Sequence, residues 1–530
     1  MAKHFSTQAA EGAPQAPRTP APSSQGAARS PQAPEGTPQD CARATQVPAS
    51  APQPPASARA TARVRSRAAA CYVAACLIGL SAPLWGRCFV GAEVTSSSGP
   101  QVQWPVLVTE AGTPNLGYLG QAGAWFEQNF AWRNELISAD AALNAALLGE
   151  ANTQQVVLGR DAWLYFGGEL ADYRGAELTE RALDDIAWNL SMVQKYLVAH
   201  GARLVLAIAP NKSTLYPEHM PAWEIASAEP HAMERLLPYL DARGVPYADL
   251  LGVLRQAKAT TAEPLYYLSD SHWNDTGAQL AAQEILRVAD TPAAGAAELV
   301  PAEMDGDLAA MLYPAGAAPE ACLRFGTDAP GFAFADGQDD VTQAQLSCQG
   351  QGAETLVMYR DSFANNLIPA LAPSFGTSVY AKPVPYDLTL ATRAGAQVVV
   401  MERAERHLLG LATEVPAFPA PRYPDLTVAE ELATASSIQL RQNGDYLVAS
   451  GIADASVVDG AAPLCVEVEG ADGSRGVYEA CHTVTEDERG QQSDWGFQAY
   501  LLAPASDTRV RFVTLRDGVW VACSDWVTCT

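Results

Sequence analysis

The sequence predicts an α/β fold, a parallel sheet covered by helices on both faces, with one membrane helix before it and a β-sandwich after it. Helical patterns alternate with short β-branched and apolar runs in the middle of the chain, which is typical of such a sheet. An uncharged apolar run precedes this region, and strand-like runs with turn signals follow it. We therefore divide the chain into residues 1–67, 68–85, 105–410 and 425–530.

The composition describes a large, acidic chain. Its 530 residues are 48% hydrophobic with a formal net charge of -25, so it can bury a substantial core and is poorly suited to binding nucleic acid. Residues 1–67 are rich in Pro, Ala, Ser and Gln, with eight Lys or Arg and three Asp or Glu. Such a segment has too few large apolar residues to offset the entropy of ordering. We expect a disordered cytoplasmic tail.

The run "AAACYVAACLIGLSAPLW" at residues 68–85 is uncharged. A membrane-spanning helix needs about 20 apolar residues to cross ~30 Å of hydrocarbon, so the run is close to the lower limit. Four arginines between residues 59 and 67 precede it and Arg87 follows, which favours a cytoplasmic N-terminus and an extracytoplasmic body. We interpret it as a single-pass anchor in the cell membrane. A cleaved signal peptide and a buried helix of a soluble domain remain alternatives.

Six cysteines lie well beyond this run, and none has the CxxC spacing of a zinc site. Disulfides in an oxidising compartment explain the even number more simply than metal binding. The expected pairing joins sequence neighbours, since it closes the shortest loops: Cys322 with Cys348, Cys465 with Cys481, and Cys523 with Cys529.

The α/β region begins with a helical pattern that starts at Thr179 and stops at Gly201, where a left-handed C-cap residue is expected. The strand "RLVLAIA", a loop, a helix in "HAMERLLPYLDARG" and the short segment "VPYADL" follow. Next, "YYLSDSHWNDTGAQLAAQEIL" supplies a loop and a helix that ends near Ala289. Asn274 or Asp275 is expected to cap this helix.

A Pro/Gly/Ala-rich insertion occupies about residues 291–340, and the alternation then resumes with "ETLVMY", "TSVYA" and "AQVVVMERAERHLL". In parallel sheets, ligands bind at the carboxyl ends of the strands. Asp270 and His272 follow the run "LYYL", and Ser362 lies on the turn after "TLVMY". We therefore expect these three residues to lie at the same edge of the sheet.

Ser362, His272 and Asp270 are the candidate catalytic residues. A serine at a strand-to-helix turn exposes its hydroxyl beside backbone N–H groups that can hold an oxyanion. His272 would act as the general base and Asp270 would orient its imidazole, a relay that performs acyl transfer. Ser362 could instead be a helix N-cap, and Asp270 with His272 could bind a metal, although no further ligand has a recognisable spacing. Neither a metal nor another cofactor is expected.

Four further residues are candidates for oxyanion or substrate binding, by their position on plausible loops: Asn211, Lys212, Arg360 and Asn365. Lys212 could equally form a salt bridge. Trp273 is expected to pack the loop against the core, and Glu405 with Arg406 is expected to be a structural pair.

The segments "SDSHWNDTGAQLAAQEIL" and "MYRDSFANNLIPALAPSF" resemble the SGNH-hydrolase-like domains of the AlgX/AlgJ group and the related DHHW proteins, which act on, or help to acetylate, extracytoplasmic polysaccharides. The segments "WFEQNFAWRNELI", "VLGRDAWLYFGGELADYRG", "LAIAPNKSTLYPEHMP" and "VVVMERAERHLL" agree, so the resemblance covers roughly residues 105–410. The Asp-x-His pair precedes the serine in that group, as it does here. Ser271 departs from the DHHW pattern, which has a histidine at this position.

The resemblance implies a three-layer SGNH-hydrolase-like (flavodoxin-like) fold, with Ser362 as nucleophile, His272 as base and Asp270 as its partner. It implies an O-acetyltransferase or acetylesterase that acts on a cell-surface or exported polysaccharide through a serine acyl-enzyme. For a transferase it also implies a multi-pass membrane acyl-transfer protein as partner. The alternative is a non-catalytic glycan-binding scaffold that keeps the fold without the chemistry.

Residues 425–530 contain strand-like runs separated by turn signals, which predicts a small β-sandwich. AlgX-like members carry a carbohydrate-binding module at this end, so the resemblance makes Trp495, Trp520 and Trp526 candidates for stacking on sugar rings. The alternative, that these tryptophans belong to the sandwich core, is equally open.

Overall fold

The computed structural model describes residues 69–79, 81–82 and 85–86, and residues 102–529 except 110, 176–177, 296, 327–330, 336, 339, 424–425, 461, 488 and 503–507. The predicted tail at 1–67 lies outside the described residues. Residues 69–79, within the predicted anchor, are helical. Among the described residues, no helix combines the length and the apolar character that crossing a bilayer requires.

The helices beyond residue 110 range from single turns to the 20-residue helix that follows Thr179. In chain order they are α1 (Tyr118–Asn129), α2 (Arg133–Leu148), α3 (Leu170–Tyr173), α4 (Glu180–Ala199), α5 (Lys212–Leu215), α6 (Ala232–Arg243), α7 (Leu250–Lys258), α8 (Asp275–Val288), α9 (Asp307–Leu312), α10 (Ile368–Leu371), α11 (Thr389–Arg393) and α12 (Gly410–Thr413).

The strands before residue 410 are short, as expected for a sheet with helical crossovers. In chain order they are β1 (Val156–Leu158), β2 (Leu164–Phe166), β3 (Arg203–Ala209), β4 (Tyr247–Ala248), β5 (Leu299–Met304), β6 (Glu320–Phe325), β7 (Ala333–Phe334), β8 (Gln345–Gln349), β9 (Thr355–Tyr359), β10 (Thr377–Ala381) and β11 (Val398–Ala404).

Seven of these strands form one sheet in the order β4-β3-β11-β9-β10-β8-β7. The first five run parallel, as predicted, but β8 and β7 form an antiparallel edge that the sequence did not predict. The reason is the short connection at residues 350–354 between β8 and β9. A crossover between parallel strands needs about a dozen residues or more, so β8 must run against its neighbours.

Helices cover both faces of this sheet. Every residue of β11 is buried, and β3 is buried from its second residue onward, which requires packing on both sides of the strands. Helix α4 packs against α6, and α7 packs against α8. The result is the three-layer α/β arrangement that the alternation in the sequence predicts.

Local signals placed several elements correctly. Thr179 caps α4, with its hydroxyl accepting a hydrogen bond from Ala182 N at 3.0 Å, and Gly201 after the helix has a φ of +81°. Asn274, rather than Asp275, caps α8. Strands β3 and β10 begin and end where the sequence predicted them.

The insertion at about 291–340 is more ordered than its composition suggests. Its strands β5 and β6 form an antiparallel pair, and α9 lies between them in sequence. The sequence did not predict this hairpin because Pro, Gly and Ala obscure the two-residue alternation of strands.

Beyond residue 420 the chain forms two facing sheets. The strands are β12 (Arg422–Tyr423), β13 (Glu430–Glu431), β14 (Ser437–Asn443), β15 (Tyr446–Ile452), β16 (Leu464–Glu469), β17 (Arg475–Glu479), β18 (Cys481–Glu486), β19 (Gln492–Leu502), β20 (Arg509–Arg516), β21 (Val519–Ala522) and β22 (Val527–Thr528). One sheet has the order β12-β17-β16-β20-β21-β13, with β22 also on β20, and the other β14-β15-β19-β18. Phe497 and Phe512, one from each sheet, stack at 4.6 Å in a shared core. This is a β-sandwich.

The sandwich packs directly on the α/β region, within the compact unit Ile78–Thr530. Asn189 of α4 exchanges two hydrogen bonds with the backbone of His482, at 2.7 and 2.8 Å. Asp185 Oδ1 lies 2.7 Å from His482 Nδ1, and Trp188 stacks on the same ring. The side chains of Asp185, Asn189 and His482 each have a hydrogen-bond partner in this buried contact between α4 and β18.

The predicted disulfides are wrong, because all six cysteines beyond residue 300 carry free thiols. Cys322 lies on β6, in the two-stranded sheet that β5 and β6 form, whereas Cys348 lies on β8 in the central sheet. Cys465 and Cys481 lie in different sheets of the sandwich. Strands β21 and β22, which precede the last two cysteines, pair with opposite ends of β20. Closeness in sequence does not bring sulfur atoms together.

Candidate active site

The two loops with the candidate residues meet at the carboxyl edge of the central sheet. Strand β9 ends at Tyr359, and Ser362 follows it at the start of a 3-10 turn, Phe363–Asn365. The other loop is closed by an isolated bridge between Tyr266 and Trp273, directly before α8. His272 lies at the end of this loop, so its ring can reach the serine.

Ser362, His272 and Asp270 form a continuous chain of hydrogen bonds. His272 Nε2 lies 2.9 Å from Ser362 Oγ, and His272 Nδ1 lies 2.7 Å from Asp270 Oδ1. Asp270 Oδ1 also accepts a hydrogen bond from the backbone N–H of His272 at 2.9 Å. The structure thus brings together the three residues that the sequence singled out, in the order that a serine nucleophile requires.

The side chain of Ser362 does not act as a helix N-cap, the alternative role that the sequence left open. The hydroxyl makes no capping hydrogen bond to the turn that follows. Instead, Asp361 Oδ1 accepts a hydrogen bond from Phe363 N, and its Oδ2 accepts one from Ala404 N. Burial opposes ionisation of Asp361, but these bonds and His407 hold its pKa below the ordinary value. Asp361 therefore fixes the turn and leaves the serine hydroxyl to His272.

The pKa of His272 lies above its ordinary value. Burial favours the neutral ring, but the hydrogen bond and the charge of Asp270, with the further charge of Asp307, outweigh burial and the opposing charge of Arg406. The pKa of Asp270 is lowered, since its bonds to His272 and to the Asp307 N–H outweigh its burial. Asp270 is thus ionised when His272 takes up a proton.

Trp273 joins the two loops, which extends the packing role predicted for it. Its side chain is fully buried, and its indole N–H donates to the backbone oxygen of Phe363 at 3.0 Å. The Phe363 ring packs edge-on against the indole at 5.1 Å and lies 4.8 Å from the ring of His272. The loop with Asp270, His272 and Trp273 therefore carries the candidate base, the carboxylate next to it and a hydrogen bond to the serine turn.

Two acidic residues of the insertion hold the loop that carries Asp270 and His272, which we call the Asp-x-His loop. The sequence did not indicate either of them. Asp307 accepts hydrogen bonds from Ser271 N at 2.7 Å and Ser271 Oγ at 2.6 Å. Its own N–H donates to Asp270 Oδ2 at 2.9 Å. Glu320 accepts from Leu268 N and Ser269 N, each at 2.8 Å. No motif marks these residues, so only the long-range contacts identify them.

Ser271, the departure from the DHHW pattern, therefore has a local explanation. Its hydroxyl bonds to Asp307 and lies 3.3 Å from His272 Nδ1. The Asp307 carboxylate is 3.8 Å from the same ring nitrogen. A short hydroxyl at this position thus connects the insertion to the candidate base.

The structure corrects the expectation that Asn211 and Lys212 contact substrate. Both side chains are fully buried. Lys212 Nζ donates to the backbone oxygens of Leu164, Leu268 and Asp270 at 2.6 to 2.9 Å, so all three of its N–H groups are used. Burial lowers the pKa of Lys212 to about 8. This lysine positions the backbone of the Asp-x-His loop, and no salt bridge to it occurs among the described residues.

Asn211 ties three segments together behind the site. Its amide Nδ2 donates to Asp172 Oδ2 at 3.0 Å, and its Oδ1 accepts from Arg406 N at 3.2 Å. Its backbone N–H donates to Glu405 Oε2 at 2.8 Å. Both ends of the amide are therefore used for structure.

Arg360 and Asn365 form a pair beside Ser362. The Arg360 guanidinium is buried and donates to the backbone oxygens of Val341 and Gln343, while its Nη1 donates to Asn365 Oδ1 at 2.6 Å. Since a guanidinium can only donate, Oδ1 of Asn365 faces Arg360. The Nδ2 group of Asn365 therefore points elsewhere and has no partner among the described residues. Arg360 is a positioning residue, and Asn365 keeps one donor free.

Glu405 and Arg406 do not form the expected pair. Glu405 is buried and accepts from Asn211 N and from Thr214 Oγ at 2.7 Å. Burial raises the pKa of Glu405 to about 8. The Arg406 guanidinium lies over the Phe363 ring, with its Nη1 3.8 Å from Glu169 Oε1. Arg406 thus adds a positive charge behind the serine turn.

Asp270, His272 and Asp307 also lie close enough to hold a metal ion, with one donor atom from each within 4.8 Å of the others. However, Nδ1 of His272 already faces the Asp270 carboxylate at 2.7 Å, and both Asp307 oxygens accept hydrogen bonds from Ser271. The atoms that would have to bind a metal are therefore already engaged in hydrogen bonds within the protein.

The three tryptophans considered for sugar stacking are covered to different degrees. Arg181 of α4 lies 3.6 Å over the Trp495 ring, and Trp520 packs against Tyr423 at 5.7 Å. Trp526 lies beneath three arginines, of which Arg511 is nearest at 4.4 Å. Trp495 therefore belongs to the contact with α4.

Comparison with known proteins gives the class of the α/β region. Residues 156–321 match the family model described as ALGX, an SGNH hydrolase-like domain, acetyltransferase AlgX. This range contains Asp270 and His272 and ends before Ser362. The resemblance drawn from the motifs is thus confirmed: residues 156–321 are similar to the SGNH hydrolase-like domain of AlgX.

Individual proteins to which the chain is similar are described as probable alginate O-acetylases. The chain is 34% identical over 184 residues to a probable alginate O-acetylase AlgJ of Pseudomonas aeruginosa, covering 34% of this chain and 45% of that protein. It is 35% identical over 157 residues to the AlgJ of Pseudomonas fluorescens, covering 29% and 39%. The chain therefore spans less than half the length of these relatives. The solved O-acetyltransferase domain of Pseudomonas putida AlgJ aligns at 23% identity over 48% of this chain and 92% of that chain, with a TM-score of 0.34.

Proposed function

We propose that this protein is a serine-dependent O-acetyltransferase or acetylesterase that acts on a cell-surface or exported polysaccharide. The observation that carries the proposal is the unbroken relay from Asp270 through His272 to Ser362, with contacts of 2.7 and 2.9 Å. Relatives described as probable alginate O-acetylases support the substrate class.

The first half-reaction forms an acetyl-enzyme. His272 Nε2 takes the Ser362 hydroxyl proton as Oγ attacks the carbonyl carbon of an acetyl ester, which gives a tetrahedral oxyanion. Collapse of this intermediate breaks the ester C–O bond, and His272 returns the proton to the leaving oxygen. Asp270 stabilises the charged imidazole during both transfers.

The second half-reaction decides between the two activities. His272 removes a proton from either a sugar hydroxyl or water, whose oxygen attacks the acetyl-Ser362 carbonyl carbon. The Ser362 oxygen then leaves and regains its proton from His272. A sugar acceptor gives an acetylated polysaccharide, whereas water gives acetate. Both outcomes use the same residues.

Two donors are assigned to the oxyanion. The backbone N–H of Ser362 has no hydrogen-bond acceptor among the described residues, and it lies beside the attacking oxygen. The Asn365 Nδ2 group is the second, since Arg360 holds the opposite end of that amide. Preorganised donors of this kind typically contribute about 10²-fold or more in kcat each.

The proposal also includes the cellular arrangement. Residues 68–85 would anchor the chain in the cell membrane by a single span, with the body outside the cytoplasm. A transferase then needs acetyl groups on that side of the membrane, which a multi-pass acyl-transfer partner would supply. The arginine excess before the apolar run supports this orientation.

Hydrolysis of p-nitrophenyl acetate by the purified full chain tests the chemistry. Ser362→Ala and His272→Ala should each lower kcat by on the order of 10³-fold or more, since each removes one group of the relay. Ser456→Ala and His200→Ala change an exposed serine and an exposed histidine, and they should retain the parent rate. An undiminished rate in Ser362→Ala would refute the serine mechanism.

Added oligosaccharide then separates the two activities. Acetylated sugar among the products, absent with Ser362→Ala, supports the transferase. Release of acetate alone, at a rate unaffected by the sugar, supports the esterase. Glycan binding by a parent chain that hydrolyses nothing would favour the non-catalytic scaffold instead.

A further inference from the structure

A second pair of an imidazole and a carboxylate lies beside the candidate serine. His407 Nδ1 is 3.2 Å from Asp361 Oδ2, and Asp361 directly precedes Ser362. Strand β11 ends at Ala404, shortly before His407, and its neighbour in the sheet is β9, which leads into the serine turn. Neighbouring strands lie about 4.8 Å apart. The loops after β9 and β11 therefore share one stretch of the carboxyl edge, where ligands bind in such sheets.

The serine turn is held without the help of His407. Both oxygens of Asp361 already accept backbone hydrogen bonds, from Phe363 N at 2.9 Å and from Ala404 N at 2.7 Å. The side chain of His407 is 45% exposed, against 17% for His272. Among the described residues, no aromatic ring packs against it. The imidazole is thus held at one nitrogen and open to solvent elsewhere.

The contact with Asp361 determines which hydrogen-bonding group His407 presents to solvent. Despite burial, the hydrogen bonds to Asp361 hold the pKa of this carboxyl below its ordinary value, so it is ionised and can only accept. In the neutral imidazole, Nδ1 therefore carries the proton and Nε2 is an acceptor. Nε2 has no hydrogen-bond partner in the part of the chain that the structure describes. A ligand at this atom must donate a hydrogen bond, as a sugar hydroxyl does.

A further acceptor atom lies nearby on Asp172. Its Oδ2 accepts from Asn211 Nδ2 at 3.0 Å, whereas its Oδ1 has no partner among the residues described. Burial raises the pKa of Asp172, and the hydrogen bond from Asn211 lowers it. Arg406 and His407 lower it as well, so both side chains lie near this carboxylate. Two neighbouring acceptors without partners favour a ligand with several hydroxyl groups.

We propose that His407, oriented by Asp361, binds the acceptor sugar of the transfer reaction through Nε2. This rests on the proposed function, because it assigns a role in the second half-reaction. Sugars carry hydroxyls on neighbouring carbons, so one hydroxyl donates to His407 while the next attacks the carbonyl carbon of acetyl-Ser362. The attacking hydroxyl gives its proton to His272, and the Ser362 oxygen leaves and regains a proton from the same ring. His407 therefore favours sugar over water as acceptor.

The test follows two quantities with the purified full chain and p-nitrophenyl acetate. Release of p-nitrophenol without sugar reports on formation and hydrolysis of the acetyl-enzyme. The ratio of acetylated sugar to acetate, measured with added sugar, reports on acceptor binding. The sugars are alginate oligosaccharides and, as acceptors without charge, cello-oligosaccharides.

Two variants of His407 separate contact with sugar from support of Asp361. His407→Gln keeps an oxygen acceptor near the position of Nε2, whereas His407→Asn keeps an N–H donor near Nδ1 and nothing at Nε2. His200→Gln and His200→Asn are the matched controls. His200 is also an exposed histidine, and its Nδ1 lies 2.8 Å from Tyr196 O.

We expect His407→Asn to lower the ratio of acetylated sugar to acetate at least about fivefold, the effect of one lost hydrogen bond. The fall in p-nitrophenol release should be much smaller. His407→Gln should retain more of the ratio than His407→Asn, and both His200 variants should match the parent.

Four results would overturn the inference. An unchanged ratio in His407→Asn would do so while leaving the serine chemistry intact. A ratio that survives in His407→Asn and falls in His407→Gln, or one that falls only in step with p-nitrophenol release, would assign His407 to support of the serine turn. A parent that acetylates neither sugar would exclude an acceptor site. A parent that releases no p-nitrophenol would refute the proposed function itself, and the acceptor site with it.

Discussion

At the scale of single residues, His272 is the most constrained group of the site. Asp270 contacts its Nδ1 at 2.7 Å, Ser362 its Nε2 at 2.9 Å, and Asp307 lies 3.8 Å from Nδ1. The negative charges raise the pKa of His272 and Arg406 lowers it. A general base must be neutral to accept a proton. Activity should therefore rise with pH through the elevated pKa of His272.

Removing the Asp307 charge should move this rise to lower pH. In Asp307→Asn the amide can still bond to Ser271 N, so the loop keeps one of its links, but the carboxylate that raises the pKa of His272 is lost. The measurement is the acid limb of kcat/KM for p-nitrophenyl acetate, compared with Asp305→Asn, an exposed carboxylate two residues away. A limb that stays in place while kcat falls would mean that Asp307 acts only as a structural support.

At the scale of elements, hydrogen bonds from the insertion hold the Asp-x-His loop in place. Asp307 and Glu320 hold the loop from α9 and β6, and Ala309 N donates to Ser269 O at 3.0 Å. Gly306 sits so close that an added Cβ would lie 2.2 Å from Ser269 O. Its φ of -74° is ordinary, so the glycine is required by space and not by conformation.

Gly306→Ala should therefore push the loop and displace His272. A displacement of about 1 Å can cost on the order of 10²-fold in kcat, and overpacking costs about 1–3 kcal/mol of stability. Gly326→Ala is the matched control, since an added Cβ there meets its nearest atom at 3.6 Å, an ordinary contact. Equal rates for both variants would show that the insertion does not position the catalytic loop.

At the scale of the whole molecule, α4 belongs to two cores at once. One face packs on the central sheet, and Asp185, Trp188 and Asn189 contact His482 of the sandwich. Because Asn189 satisfies both backbone groups of His482, its loss would leave a buried donor and a buried acceptor without partners. The α/β region and the sandwich should therefore unfold together.

Asn189→Ala should lower the free energy of unfolding by about 2–6 kcal/mol, since each of the two unsatisfied buried groups costs about 1–3 kcal/mol. Denaturant unfolding followed by tryptophan fluorescence measures this, with Lys195→Ala on the exposed side of α4 as the control. A second transition in Asn189→Ala would show that the variant separates the two regions. A parent that already unfolds in two steps would contradict the shared core.

The sequence by itself determined the elements whose signals are local. Apolar runs placed β3, β9, β10 and β11, Thr179 and Asn274 began their helices, and the order of motifs identified the SGNH hydrolase-like class. The same local signals indicated Asp270, His272 and Ser362 as candidate site residues, because a loop after a strand can be predicted from a few neighbouring residues. The anchor and the catalytic roles of these three residues remain predictions.

Only the tertiary structure decided what depends on contacts between distant segments. It gave β8 its direction against the parallel strands, left the cysteines unpaired and turned Asn211, Lys212 and Arg360 inward as positioning residues. It also brought Asp307 and Glu320 to the Asp-x-His loop from an insertion without a motif. The hydrogen bonds of Asp307, Glu320 and Lys212 to this loop and its surroundings join residues 36 to 58 positions apart. Sequence patterns report the neighbours along the chain, whereas these partners are set by how the layers pack.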